Sequence, residues 1–465
     1  MTMSPLDAAW LQVETYESPM HIGCLQIFAP PPRASGDYAR QLADRLRAPR
    51  RLGPPFSLKL KPSPLTALLP EWIEEPRPDM SWHVRRSALP AGAGDAALHE
   101  LVASLYGVAM DRSRPLWECH VIEGLEQGRV ALFTKIHHSL MDGIGGIRLL
   151  QSMLSPDASQ RSLPAPWARH QQRRARAAGR RRGAWQRLEQ GVGLAHDVYA
   201  ACATHWRDWR DGAHAGLVMP YAAPRSVLNG PIAKHRAFAT QRIPLARAHA
   251  VAQAAGVTVN DVFLALCAGA LRSDLLAADE LPGFPLVAGV PVSVRPEGDA
   301  SVGTAISFLL ASLATDVASP WNRLMEIHRS TAAGKDHLRR MDAAAVAPYT
   351  LLMMAPHMLQ LMTGVHDVTP PVFNLAISNV PGPSEPLFFN GARLEAMYPM
   401  SVLTHGQGLN ITTVSYDGVM HVGLTACHHA AHRLARLAGN LAAELAILER
   451  LVQRPARGRT RRAAA

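Results

Sequence analysis

One strand–turn–helix stretch in the first half of the chain constrains the fold most. Residues 118–124 alternate in polarity, and residues 129–136 are apolar and rich in β-prone side chains. The short Gly-containing segment between them predicts a turn, so the two strands form a hairpin. The second strand runs directly into His137 and His138, and residues 144–150 then predict the start of a helix. The two histidines therefore lie where a strand passes into a turn.

The candidate site is the segment Lys135-Ile-His-His-Ser-Leu-Met-Asp-Gly143. A histidine in such a turn can transfer protons near neutral pH, because its unperturbed pKa is about 6.5. Asp142, followed by Gly143, suits a local brace better than a second proton carrier. The residues alone leave two other interpretations open, a satisfied structural histidine and a metal ligand. No HExxH motif or Cys/His cluster completes a metal site, so we predict none.

Length and composition indicate a large globular protein with two domains or two halves. The chain has 465 residues, of which 48% are hydrophobic and 18% charged, so a sizeable core is expected and global disorder is excluded. Its five cysteines show no CxxC spacing, which is typical of reduced thiols in the cytoplasm. No signal peptide or membrane span is recognisable. The apolar run 349–362 predicts a helix on a core or on a lipid surface.

The net charge of +11 is concentrated in one segment. Residues 161–187 contain nine arginines and no acidic residue, and a smaller basic cluster lies in the tail 454–465. A solvated linker and an element attracted to an anionic membrane are both compatible with this composition. No nucleic-acid recognition motif accompanies the arginines, so we expect no nucleic-acid partner.

The order of predicted elements indicates an α/β (α+β) protein with two layered halves. Residues 50–95 show no clear period and predict loops and short elements. In the second half, helices are predicted at 245–255, 320–340 and 431–452, and Thr258 predicts the N-cap of an apolar helix. The predicted division is an N-terminal half (1–160), an arginine-rich linker with a crossover helix (161–230), a C-terminal half (231–453) and a basic disordered tail (454–465).

In combination, several short motifs resemble the bacterial wax ester synthase/acyl-CoA:diacylglycerol acyltransferase family, within the CoA-dependent acyltransferases. Each motif is weak alone, and the double-histidine motif also occurs in peptide-synthetase condensation domains. Their joint occurrence in this order carries the resemblance. The motifs are Ser4-Pro-Leu-Asp7, Pro19-Met-His-Ile-Gly23, Pro115-Leu-Trp117, His137-His-Ser-Leu-Met-Asp-Gly143, Asn229-Gly230, Asn260-Asp261, Pro291-Val-Ser-Val-Arg295 and Ser378-Asn-Val-Pro-Gly-Pro383.

The resemblance implies a fold like chloramphenicol acetyltransferase, with two similar halves facing each other across a substrate tunnel. His138 at its middle would be the general base, taking the proton of an acceptor hydroxyl that attacks the acyl-CoA thioester. His137 would support the turn, and Asp142 would pair with an arginine, for which Arg295 is the candidate. Gly143 would permit a backbone that a Cβ would crowd. No acyl-enzyme, metal or redox cofactor is implied, since acyl-CoA is a substrate.

Three further residues receive supporting roles from the same resemblance. Asn260 and Asp261 would form a first-turn site near the tunnel, where Asn260 either donates to the oxyanion or caps the helix. The segment Pro115-Leu-Trp117 would place the hairpin beneath the motif, and Trp117 would line the acyl channel.

The implied acceptor is a diacylglycerol or a long-chain fatty alcohol. We expect a cytoplasmic protein in peripheral contact with an anionic membrane, at the inner face of the plasma membrane, or with lipid droplets. Two alternatives remain open at this point. One is a condensation-type acyltransferase that uses a carrier-protein thioester, and the other is a non-catalytic protein that binds lipid surfaces.

Overall fold

A computed structural model of the chain describes residues 5–31, 36–62, 70–168, 216–293, 306–341, 343–364 and 369–453, with six single positions besides. Most of the arginine-rich linker and all of the tail 454–465 lie outside the described residues. The described α-helices are α1 (Pro5–Gln12), α2 (Tyr38–Arg47), α3 (Met80–His83), α4 (Asp95–Tyr106), α5 (Gly143–Ser152), α6 (Leu245–Ala255), α7 (Val259–Ala277), α8 (Pro320–Arg340), α9 (Ala343–Thr363) and α10 (Ala431–Gln453).

The first sheet contains the histidine motif. Its strands in spatial order are β11 (Phe388–Phe389), β12 (Ala392–Met400), β1 (His21–Ala29), β6 (Val130–His137), β5 (Trp117–Leu125) and β4 (Val84–Ala93). The predicted hairpin is confirmed as β5 and β6, which pair antiparallel. Strand β1 is antiparallel to both of its neighbours, with His21 opposite His137 and Gly23 opposite Met400. The end of β6 is therefore braced by strands on either side.

The second sheet is mixed, and a separate small ribbon is formed by β2 (Leu58–Leu60) and β3 (Trp72–Glu74). In spatial order the second sheet contains β7 (Arg236–Pro244), β14 (Val419–Cys427), β13 (Leu409–Tyr416), β10 (Leu375–Val380), β8 (Val287–Ser293) and β9 (Ile306–Ser312). Strand β10 is parallel to both of its neighbours, and the remaining pairs are antiparallel. Helix α7 packs in the core of this half, with almost all its side chains between Asp261 and Leu271 buried.

Strand β12 joins the two sheets, because it comes late in the chain and yet pairs with β1 in the first sheet. It passes close beside β14 of the second sheet. A Cβ on Gly423 in β14 would lie 2.1 Å from the carbonyl oxygen of Pro399 in β12, so only glycine permits this approach. The crossing holds both sheets around one shared space.

Most sequence predictions of secondary structure are confirmed. Helices at 245–255, 320–340 and 431–452 correspond to α6, α8 and α10. Thr258 caps α7 by accepting a hydrogen bond from the backbone N–H of Asp261, as predicted. The domain boundaries remain a prediction. Among the described residues, no single helix is long and apolar enough to cross a membrane, and one pair, α6 with α7, meets that criterion only jointly across a 103° bend.

The prediction of loops and short elements over 50–95 is wrong at its end. Residues Val84–Ala93 form the ten-residue strand β4, which pairs parallel with β5. It is an edge strand whose side chains are mostly half-buried or exposed, and it contains Pro90 and Gly92. A strand with one neighbour and a solvated face carries little apolar signal, so its pattern resembles a loop.

Candidate active site

His138 is held at the end of β6 by backbone hydrogen bonds on both sides. Its N–H donates to the carbonyl of Met20 at 2.8 Å, and the N–H of His137 donates to Leu116 at 3.0 Å. The N–H of Leu140 then closes the turn onto the carbonyl of His137 at 2.9 Å. The position of His138 is thus determined by the backbone of three neighbouring segments.

His138 lines a cavity of about 180 Å³ to which both halves of the chain contribute. Strands β1 and β6 and helix α5 contribute lining residues from the first half, and β10, β13 and α9 contribute them from the second half. Most lining side chains are apolar, which suits an acyl chain. Representative lining residues are Ile22, Ile136, Ile147, Leu150, Met354, Met358, Leu361, Phe373, Val380 and Met400.

The His138 imidazole is almost completely buried and stacks on an indole ring. It is 7% exposed, and its ring centroid lies 4.0 Å from that of Trp10 at an interplanar angle of 27°. Burial lowers the pKa of His138 to about 4, although the charge of Asp142 and the residue's own backbone carbonyl act in the opposite direction. Atom Nδ1 is fully buried, so Nε2 is the ring nitrogen available to a molecule in the cavity. A neutral imidazole of this kind can accept a proton at neutral pH.

His137 points away from the cavity and is tied to the turn. The N–H of Ser139 donates to its Nδ1 at 3.1 Å, so Nε2 carries the proton in the neutral ring. Nε2 lies 3.3 Å from Oε1 of Glu14. Nδ1 is therefore held by a hydrogen bond, and Nε2 faces the Glu14 carboxylate.

Glu14 is the centre of a buried brace behind the motif. Its Oε1 accepts the N–H of Met20 at 3.0 Å, and its Oε2 accepts Nε and Nη2 of Arg112 at 3.0 and 2.7 Å. Burial alone would raise the pKa of Glu14, but the hydrogen bonds and charge of His137, with Met20 and Arg112, lower it to about 2. The carbonyl of Met20 also accepts a hydrogen bond from the N–H of His138. The Glu14 carboxylate therefore supports both histidines.

Sequence reasoning missed Trp10 and Glu14. Trp10 lies on α1 and Glu14 in the segment after it, and Arg112 also donates to the carbonyl of Leu11 in α1 at 2.8 Å. The available signal was their position in the Ser4-to-Gly23 region, which supplied two of the motifs. Nothing local to that region indicated that it contacts residues 137 and 138.

Asp142 begins helix α5. Its side chain is buried and accepts a hydrogen bond from the backbone N–H of Gly145 at 2.7 Å, as an N-cap. Arg295, its predicted partner, lies outside the described residues, so that pairing stays a prediction.

The crowding predicted at Gly143 is wrong. A Cβ there would meet no atom within 4 Å, because Gly143 is the first residue of α5 and borders the cavity. The close approach occurs at Gly146, where a Cβ would lie 2.8 Å from Cδ1 of Ile22. The absent side chain at Gly143 leaves space beside His138 instead.

This difference predicts different effects for two alanine substitutions. Gly143→Ala should leave the free energy of unfolding unchanged or raise it by up to about 1 kcal/mol, while the methyl group in the cavity lowers kcat about tenfold. Gly146→Ala has the same gain in helix propensity, but its methyl group must displace Cδ1 of the buried Ile22, so its free energy of unfolding should lie about 1 kcal/mol below that of Gly143→Ala. Denaturant melts and turnover assays measure both quantities. Wild-type turnover in Gly143→Ala would contradict this assignment.

Asn260 and Asp261 lie in the first turn of α7, and neither is among the cavity-lining residues. Asp261 is fully buried and accepts hydrogen bonds from Thr331 Oγ1 at 2.6 Å and from the backbone of Thr258 at 3.0 Å. Its Oδ2 also lies 2.8 Å from Nδ1 of His328. These contacts give Asp261 a structural role between α7 and α8.

Trp117, the first residue of β5, is buried and does not belong to the cavity lining. Its indole N–H donates to the carbonyl of Phe56 at 2.9 Å. Its ring stacks on His83 and Trp167, with centroid distances of 4.5 and 4.6 Å.

Buried neutral histidines predict a loss of stability in mild acid. Burial lowers the pKa of His138 and His421 to about 4 and that of His21 to about 3. Between pH about 6.5 and pH about 4 the unfolded chain binds protons that the folded chain excludes, so the free energy of unfolding falls as pH falls through that window. Thermal melts between pH 4 and 8 measure it, and a flat Tm below pH 6.5 would contradict it.

Among the described residues, no group of three or more His, Cys, Asp or Glu side chains could hold a metal ion.

Comparison with known proteins adds independent information. Residues 3–263 match the family profile described as the wax ester synthase/diacylglycerol acyltransferase catalytic domain, and residues 302–449 match the WS/DGAT C-terminal domain. The chain is 40% identical to a Mycobacterium tuberculosis protein named as a diacylglycerol O-acyltransferase, over 97% of this chain and 100% of that protein. It is 35% identical to the O-acyltransferase WSD of Acinetobacter baylyi, over 97% of each.

Solved structures agree with the sequence comparisons. A wax ester synthase/diacylglycerol acyltransferase from Marinobacter aquaeolei VT8 superposes with a TM-score of 0.75 at 35% identity, covering 97% of this chain and 100% of that one. The starter condensation domain of rhizomide synthetase superposes with a TM-score of 0.57 at 15% identity, covering 97% and 94%. The latter likeness shows that the two-sheet fold is shared with condensation domains.

Proposed function

The chain belongs to the wax ester synthase/diacylglycerol acyltransferase family and is an acyltransferase, and on that premise we propose how it works and where. The proposed reaction transfers a fatty acyl group from acyl-CoA to the hydroxyl of a diacylglycerol or a long-chain alcohol. The observation that carries the mechanism is a buried histidine at the wall of an apolar cavity to which both halves of the chain contribute.

In the proposed step, Nε2 of His138 accepts the proton of the acceptor hydroxyl. The oxygen forms a bond to the thioester carbonyl carbon, and the C–S bond of the tetrahedral intermediate then breaks. The imidazolium returns its proton to the CoA thiolate, so the enzyme ends unchanged. This sequence needs no acyl-enzyme and no resident metal or redox cofactor.

A pKa of His138 below its ordinary value suits this role. The ring is neutral when substrates bind, and it releases its proton readily once it is an imidazolium in a buried site. The Trp10 ring face is in contact with the imidazole and would stabilise the cation while it exists. Asp142, which raises the pKa of His138, would act in the same direction.

The proposed positioning roles follow from the hydrogen bonds. Glu14 and His137 hold the turn, Asp142 begins the helix behind it, and Gly143 keeps space for substrate. Arg295 remains the proposed partner of Asp142.

Release of free CoA thiol tests the proposal. Purified protein is incubated with palmitoyl-CoA and either hexadecanol or dioleoylglycerol, and esters are identified by mass spectrometry. We expect thiol release and a matching ester with at least one acceptor, and the product ratio reports acceptor preference. No thiol release above a His138→Ala control with either acceptor would overturn the proposal.

We further propose that the protein works from the cytoplasm in peripheral contact with a membrane or lipid droplet. The nine arginines without acidic residues in 161–187 support attraction to an anionic surface, at about 1 kcal/mol per basic residue near it. Deletion of 169–187, which leaves the buried Trp167 in place, should weaken binding to anionic vesicles and preserve turnover of a soluble acceptor. Unchanged, salt-insensitive vesicle binding after deletion would contradict a role for the arginines.

A further inference from the structure

Helix α9 presents an apolar face to solvent. Its 21 residues, Ala343–Thr363, include no Asp, Glu, Lys or Arg. Leu351, Leu352, Leu359 and Met362 are 44, 53, 62 and 57% exposed. Ala355 and Pro356 between them are exposed as well, so this stripe is apolar over three turns. A surface helix ordinarily exposes polar side chains to water, so an exposed face made of apolar side chains is unusual.

The opposite face of α9 forms part of the active-site cavity. Thr350, Met354, His357, Met358 and Leu361 line it. Neighbouring side chains on the same face, such as Met353, anchor the helix in a small core cluster with Val287 and Phe373. One helix thus separates the cavity from the exterior.

Leu351 belongs to both faces. It lines the cavity, and it is also one of the exposed residues of the outer stripe. Apolar surface therefore continues from outside the protein, past Leu351, into the space that contains His138. A molecule that moved along this surface would not need to cross a charged or strongly hydrated rim on α9.

We infer that the outer face of α9 docks on a phospholipid bilayer surface and that the acceptor lipid enters the cavity along it. This inference rests on the proposed function, because it takes the acceptor to be a lipid dissolved in the bilayer. The continuity at Leu351 favours lipid over a second copy of the chain, since a protein partner on this stripe would cover the entrance. The absence of charge on α9 makes this docking hydrophobic and insensitive to salt.

A flotation assay with phosphatidylcholine vesicles, with and without phosphatidylglycerol, tests the inference. The variant Leu352→Glu/Leu359→Glu changes two residues of the outer stripe that do not line the cavity. We expect vesicle binding to fall about tenfold for each substituted residue, on both vesicle types and at high salt. The matched control is Leu276→Glu near the end of α7, where the side chain is 58% exposed. Its vesicle binding should equal that of the wild type.

Turnover assays distinguish a defect in docking from misfolding and from a failure of the proposed function. With hexanol as a soluble acceptor, the double variant should match the wild type, whereas turnover of dioleoylglycerol in vesicles should fall in proportion to binding. Met362→Glu alone should show the same pattern, with a loss of about tenfold in vesicle binding and in turnover of dioleoylglycerol in vesicles. Wild-type flotation of the double variant would overturn the inference, as would loss of a dimer in size-exclusion chromatography without loss of flotation. Absence of thiol release by the wild type with every acceptor would instead overturn the proposed function.

Discussion

Replacing His138 with alanine is expected to lower acyl transfer about a thousandfold or more, with little change in the free energy of unfolding. The loss follows from removal of the His138 imidazole, which lines the cavity at the end of β6 and is the proposed general base. Thiol release from palmitoyl-CoA measures the rate, and denaturant unfolding measures stability. The residual rate reports what substrate binding alone contributes.

His137→Ala is the comparison for this variant. His137 is engaged by Ser139 and Glu14, so its loss should reduce turnover less than the loss of His138 and reduce stability more. Equal or reversed losses of turnover would show that the general base has been assigned to the wrong histidine.

Replacing Glu14 with alanine should lower the free energy of unfolding by about 3 kcal/mol, because buried hydrogen-bond donors lose their common acceptor. Its side chain is 6% exposed and contacts the backbone N–H of Met20, the Arg112 guanidinium and His137. We also expect kcat to fall about a hundredfold with little change in KM, because the turn that holds His138 loosens. Denaturant unfolding and steady-state kinetics measure the two effects.

Two further variants distinguish positioning from general destabilisation. Glu14→Gln keeps an acceptor for Met20 and should recover part of both losses, whereas Glu71→Ala, which removes an exposed partner of Lys61, should change neither. Glu14→Ala and His137→Ala should be non-additive in kcat, because both break the same brace. Additive effects, or full activity in Glu14→Ala under stabilising conditions, would refute the brace.

Local signals in the sequence account for much of the fold and for the position of the motif. The hairpin before His137 was predictable because a half-apolar strand, a Gly-containing turn and a second apolar strand are short-range patterns. The cap at Thr258 was predictable for the same reason. Strand β4 was not, because an edge strand that exposes half of its side chains lacks the apolar signal on which strand prediction depends.

The roles of side chains were harder to predict from the sequence than the positions of helices and strands. Gly143 was expected to be crowded, yet the crowded glycine is Gly146, three residues on. Trp117 was expected to line the acyl channel, but its ring stacks on Trp167, a residue of the segment after α5. In each case the deciding neighbour belongs to a different element.

The sequence by itself determined that a histidine pair closes a buried strand, that the chain has two halves and that its motifs are those of an acyltransferase family. These properties can be predicted from local periodicity, from turn-forming residues and from the order of the motifs. Only the tertiary structure decided what surrounds His138: the Trp10 ring, the Glu14 brace and a cavity wall from α9. Such contacts form when elements distant in the chain pack together, and packing between distant elements leaves no local pattern from which to predict it.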